Sequence, residues 1–174
     1  ALPILMGSGD WNDGMNLVGE HGKGESVWLA FFLYDVLVQF TEVARRRGDD
    51  AFAGTCTTEA ARLRTNIEEH AWDGAWYRRA YFDDGTPLGS KTNTECQIDA
   101  IAQSWSVISG AGNPSRARQA MDSVEARLIR RDDKLALLRE KVMRDGNVVA
   151  WQYAPGYVRE GGVSEESMRE LTGI

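Results

Sequence analysis

Four stretches of this 174-residue chain carry apolar residues at helical spacing, and they come in two pairs separated by aromatic-rich connections. In the first, Val27, Leu29, Phe31, Phe32, Tyr34, Val36, Leu37, Phe40 and Val43 predict a long, strongly buried helix over 27–47. Arg45-Arg46-Arg47-Gly48 closes it, with cations where the helix dipole favours them and a glycine able to cap the end. A second helix is expected from Phe52 or Thr57 to His70, with Ala60, Leu63, Ile67 and Ala71 inward. A third is expected over 95–109 through Ile98, Ile101, Ala102, Trp105 and Ile108, with Gln103 and Ser104 beside the buried stripe. Asn113-Pro114-Ser115 then opens a fourth, over 116–129, with Ala117, Ala120, Val124 and Leu128 inward. Two successive helical hairpins are the cadence of an all-α toroid, in which helices alternate between an inner and an outer ring and the loops at one end form the site.

The connection between the hairpins, 71–89, is dense in aromatic residues and contains Asp-Gly twice, which predicts a long loop holding a short β-hairpin. Loops of that length inside a compact domain are usually functional. Beyond Arg131 the signal weakens: 134–143 reads as helix or strand, 144–147 as a turn, 148–153 as strand, and 164–171 as a short helix capped by Ser164. At 174 residues the whole is expected to form one domain.

Gly7-Ser8-Gly9-Asp10-Trp11-Asn12-Asp13-Gly14-Met15-Asn16 is written unlike a core element. Glycines bracket two carboxylates, an indole and an amide, so polar side chains converge where the backbone is free to turn. This is the pattern of a sugar-binding catalytic loop. Burial of one carboxylate against Trp11, near the charge of the other, would raise its pKa and make it a proton donor. A helix N-cap supplied by Asp13 or Asp10 explains the same residues without chemistry, and both readings stand on sequence. His21, in the glycine-rich stretch 19–24, reads as a solvated loop histidine, and Glu25-Ser26 as a cap for the helix that follows.

A net charge of −6 argues against nucleic acid or an anionic membrane as partner. No apolar run reaches the roughly 20 residues that a membrane span needs, and no secretory signal pattern is present. With two cysteines, Cys56 and Cys96, and two histidines, His21 and His70, neither a zinc site nor a Ser-His-Asp triad is supported. The cysteines read as buried thiols of a reducing compartment. Six tryptophans favour a carbohydrate ligand, because the indole face stacks on pyranose rings.

The loop at Gly7–Asn16, Gly24-Glu25-Ser26-Val27-Trp28-Leu29, Ala71-Trp72-Asp73-Gly74, the run from Trp76 to Gly85, and Ile98-Asp99 with Ala102-Gln103-Ser104-Trp105 and Ser109-Gly110 together resemble glycoside hydrolase family 94. These are the inverting β-glucoside phosphorylases, and the likeness is greatest to the phosphorylase-like region of cyclic β-1,2-glucan synthases and to β-1,2-oligoglucan phosphorylases. The resemblance covers residues 1 to about 137, and 138–174 diverges. It implies part of an (α/α)6 barrel, with Asp13 as general acid and substrate contacts from Asp10, Trp11, Asn12, Gln103, Arg159 and Glu160. It implies no cofactor or metal: inorganic phosphate and a β-glucan oligosaccharide are the co-substrates, and a homodimer is allowed. The segment is expected to be cytoplasmic or the soluble part of an inner-membrane protein. The segment around Arg159-Glu160-Gly161-Gly162 lacks the asparagine and the histidine that the family places there, the latter in its phosphate site. A catalytically incomplete carbohydrate-binding or structural fragment is therefore the alternative.

Overall fold

The computed structural model describes residues 4–7, 10, 15–130, 135–136, 141–144 and 147–151. Its frame is two antiparallel helical hairpins. Helix α1 (Val27–Arg46) begins at Ser26, whose Oγ accepts from the Leu29 amide, and ends with Arg45 and Arg46 in its last turn and Gly48 in the left-handed region at φ +76°. Helix α2 (Asp50–Asn66) starts earlier than the apolar pattern suggested, because Asp49 caps it by accepting from the Phe52 amide. It does not run as α-helix to His70: a π turn, Ile67–Ala71, takes over and carries Glu68 toward the following loop. Helix α4 (Pro114–Leu128) has proline in its first turn and Asn113 as cap, as its sequence predicts.

Helix α3 (Ala100–Ile108) departs from expectation twice. It begins only after Asp99, whose carboxylate accepts from the Ile101 amide at 2.6 Å, so 95–99 is not helical. Its buried residues are Ala102, Gln103 and Ser106, whereas Ile108 at the end of the expected stripe is 63% exposed. Helix α1 is also less completely covered than expected. Val27, Trp28, Ala30 and Phe31 are buried, but Phe32, Val36, Phe40 and Val43 are exposed. A helix apolar all round needs neighbours on more than one side; among the described residues α1 packs mainly on α2, on the π turn that follows it, and on α3. By length and composition α1 is apolar enough to cross a membrane, yet here it is the core helix of both hairpins.

The core joins Val27, Phe31, Leu63, Ile67, Tyr77, Ala102, Ala120 and Val124. The loop between the hairpins forms the expected short hairpin, β2 (Ala80–Tyr81) and β3 (Pro87–Leu88), and gains a third strand that the sequence did not announce, β1 (Glu25–Ser26), in the order β1-β2-β3. Ile4, Leu5 and Met6 run alongside β1, with a bridge from Leu5 to Glu25, the Ser26 amide donating to the Ile4 carbonyl and the Met6 amide to the Gly24 carbonyl. A second cluster, Met6, Met15, Val18, Ala80, Phe82, Leu88 and Cys96, seals this sheet. Past α4, β4 (Ile129–Arg130) pairs with β5 (Leu135–Ala136), and β6 (Lys141–Arg144) with β7 (Asn147–Trp151), so the ambiguous stretch 134–143 contributes strands. The helix expected over 164–171 lies outside the described residues. Cys56 and Cys96 are buried free thiols.

Candidate active-site loop and its anchor

Asp10 and Met15 are the described residues on either side of 11–14, and both are held by one side chain. Arg79, on the extended run entering β2, is 1% exposed. Its Nη1 lies 2.8 Å from Asp10 Oδ2 and 3.2 Å from Ser26 Oγ. Its Nη2 donates to Asp10 Oδ1 at 3.1 Å and to Met15 Sδ at 3.2 Å. Its Nε lies 3.2 Å from Asp99 Oδ2, an ion-pair contact without the alignment of a hydrogen bond. Ser26 Oγ in turn donates to Asp10 Oδ2 at 2.8 Å. One guanidinium thus meets the loop, the cap of α1 and the cap of α3.

A buried cation facing two carboxylates is stable only because the planar fork satisfies several acceptors at once. Burial pushes Asp99 above the ordinary carboxylate range and the neighbouring Asp10 charge adds to that, while Arg79 and the Ile101 amide pull the other way. Asp10 itself sits in the left-handed region at φ +52°, a conformation that a short polar side chain bonded to its surroundings can hold. The backbone around Arg79 is equally constrained. Its amide donates to the Leu88 carbonyl, its carbonyl accepts from the Val27 amide, and Gly89, at φ +75°, lies so close that a Cβ there would stand 2.7 Å from the Arg79 nitrogen.

The neighbouring loops are clipped by three further polar residues. Asp83 accepts from the amides of His21, Lys23 and Gly24 at 2.7–2.9 Å, which shapes the stretch where His21 is exposed. Desolvation acts to raise Asp83, but the three amides and the nearby His21 outweigh it and hold it below the usual carboxylate range. Asp73 accepts from Arg78 Nη2, Ser90 Oγ and the Lys91 amide, closing the long aromatic loop on itself. Glu68, on the π turn, accepts from Tyr77 Oη at 2.6 Å, the Asn113 amide and Arg116 Nη1. Burial, then the Glu68 carboxylate, pushes the Tyr77 phenol well above its ordinary value.

Of the sequence-derived site residues, the structure locates two. Asp10 is anchored on Arg79. Gln103 is fully buried, its Oε1 accepting from the Tyr77 amide at 2.8 Å and its Nε2 donating to the Tyr77 and Asp99 carbonyls at 2.7 and 2.9 Å. That carboxamide is engaged in pinning the aromatic loop to α3. Trp11, Asn12, Asp13, Arg159 and Glu160 lie outside the described residues. Arg79, Asp99, Ser26 and Glu68 were not among the candidates. Ser26 showed as a cap, but nothing in sequence marks which of the neighbouring Arg78 and Arg79 is interior.

A model of the catalytic domain of the glycosyl hydrolase 94 superfamily matches residues 2–164. The chain therefore belongs to that superfamily, and its paired helices are part of an (α/α)6 barrel. It is 46% identical over 165 residues, 92% of its length, to the cyclic beta-(1,2)-glucan synthase NdvB of Rhizobium meliloti, of which it covers 6%. Solabiose phosphorylase of Paenibacillus borealis is 39% identical over 126 residues, 72% of this chain and 16% of that protein. An N,N'-diacetylchitobiose phosphorylase of Vibrio proteolyticus is 35% identical over 121 residues, 68% of this chain and 15% of that one. The chain thus spans only a small part of each of these relatives.

Proposed function

We propose that this chain carries the proton-donor segment of an inverting phosphorylase acting on β-linked glucose oligosaccharides. The observation that carries the reading is the family match across the loop that contains Asp10 and Asp13, whose described ends are both held by the fully buried Arg79. In this reading phosphate attacks the anomeric carbon from the face opposite the leaving sugar. As the C–O bond breaks, Asp13 delivers its proton to the departing glycosidic oxygen. Hydrolytic inversion needs a second carboxylate to activate water; phosphate is already an anionic nucleophile, so one acid suffices. The products are α-glucose 1-phosphate and a shortened glucan, and the reverse reaction is open because the sugar phosphate keeps an activated bond. Trp11 and Asn12 border the sugar, with Arg159 and Glu160 as further substrate contacts of the family pattern, while the buried Asp10 and Gln103 hold the loops from inside. No organic cofactor or metal takes part.

A second reading, glucan binding without turnover, is favoured by the apolar side chains that α1 and α3 leave exposed, Phe32 on the first and Val107 and Ile108 on the second. Release of inorganic phosphate from α-glucose 1-phosphate, with a β-1,2-glucose oligomer as acceptor, separates the two. Acceptor-dependent release that Asp13→Asn abolishes supports the phosphorylase. A folded chain that binds the oligomer but releases no phosphate overturns it in favour of binding.

A further inference from the structure

We infer that Arg79 is the positioning residue of the 10–15 loop: by holding Asp10 and Met15 together it sets where the intervening residues, Asp13 among them, are presented. The inference rests on the phosphorylase reading for its catalytic consequence, and on geometry alone for its structural one. The same Nη2 donates to Asp10 Oδ1 at 3.1 Å and to Met15 Sδ at 3.2 Å, so the two described ends of the loop converge on one nitrogen. The rest of the guanidinium is fixed from outside the loop, by Ser26 Oγ at the start of α1 and by Asp99 Oδ2 at the start of α3. Its main chain is held by Leu88 and Val27.

Because side chain and backbone are both held at several points, Arg79 ties Asp10 and Met15 to the two helix starts. A positively charged side chain used only to fill the interior would be an odd choice, since burial of charge is costly and an apolar residue would fill the volume. Lysine cannot do the same work. Its single nitrogen can meet one carboxylate but cannot span Asp10, Met15, Ser26 and Asp99 as a planar fork does.

The test follows amide hydrogen exchange in the 174-residue chain as wild type, Arg79→Lys and Asp83→Asn, together with kcat and KM for acceptor-dependent phosphate release. Arg79→Lys is expected to speed exchange at least tenfold in peptides covering 10–15, while α2 and α4 change less than twofold. It is also expected to lower kcat about 100-fold with KM changed less than threefold, since a misplaced proton donor slows chemistry more than binding. Asp83→Asn is expected to loosen 21–24 and leave 10–15 alone. Unchanged exchange over 10–15 in a folded Arg79→Lys chain overturns the inference, and so does an equal rise across all four helices, which would make Arg79 a general core residue. If Arg79→Lys loosens 10–15 but Asp13→Asn leaves turnover unchanged, or the wild type shows no turnover, the anchor stands and the phosphorylase reading fails.

Discussion

Arg78 and Arg79 are neighbours in sequence and opposites in the fold. They occupy successive positions of an extended run, so their side chains leave on opposite faces. Arg78 remains a quarter exposed, stacked near the Tyr81 ring and paired with Asp73 at 2.6 Å, and it closes a loop locally. Arg79 points inward, meets carboxylates 69 and 20 positions away in sequence, Asp10 and Asp99, and joins two helix starts to the candidate catalytic loop. The same residue type thus serves as a surface clip at one position and as an interior joint at the next. The difference is decided by what the neighbouring elements bring to each face.

The largest effect that should separate the two is the loss of Arg79. Arg79→Met leaves Asp10 and Asp99 buried without their cation, and unfolding in urea should show a loss of about 3–5 kcal/mol. If Arg79→Met unfolds no more easily than the wild type, the interior joint is not structural. Next comes Gly89→Ala, which places a Cβ 2.7 Å from the Arg79 nitrogen at a φ of +75°. Strain of that kind should cost about 2–3 kcal/mol in the same measurement, and a substitution costing under about 0.5 kcal/mol would show that the backbone there yields freely. Arg78→Ala should cost only about 1 kcal/mol, the scale of a partly exposed charged hydrogen bond, and a loss matching that of Arg79→Met would erase the contrast.

The smallest effect concerns the other clip, Asp83, and is a matter of pH. Its folded pKa lies below the unfolded value of about 3.9, so its stabilising contribution is complete above that value and is lost as pH falls through the folded one. Acid titration of stability below about pH 4 should therefore fall less steeply in Asp83→Asn than in the wild type. Identical slopes would mean that the three amides do not hold the carboxylate.

Much of the helical frame was legible because it rests on local rules. The Asn113-Pro114 start of α4, the Arg-rich end of α1 and the Asp83-Asp84-Gly85 hairpin turn each follow from chemistry within a few residues. What escaped was decided by distant partners. Two-residue strands such as β1 carry no periodicity, and Glu25–Ser26 becomes a strand only because Ala80 and Tyr81 lie beside it. On α3 the expected stripe holds at Ile101, Ala102 and Trp105, but Gln103, a polar residue, also turns inward to meet the Tyr77 backbone, while Ile108 turns out. Interior arginine runs against every composition rule, and the partners that make Arg79 tolerable come from three separate parts of the chain. The Asp10–Asn16 loop, by contrast, announced itself through residue types that no core element would use together, and it lies within the residues that the family model matches.

The account stands or falls on whether this loop supplies the proton for phosphorolysis. Phosphorus NMR of the chain mixed with a β-1,2-glucose oligomer and inorganic phosphate reads the product directly. Wild type and Arg78→Ala should accumulate α-glucose 1-phosphate at similar rates, Arg79→Lys should lag about 100-fold, and Asp13→Asn should form none. Product from Asp13→Asn at the wild-type rate, or none from a folded wild-type chain, would contradict it.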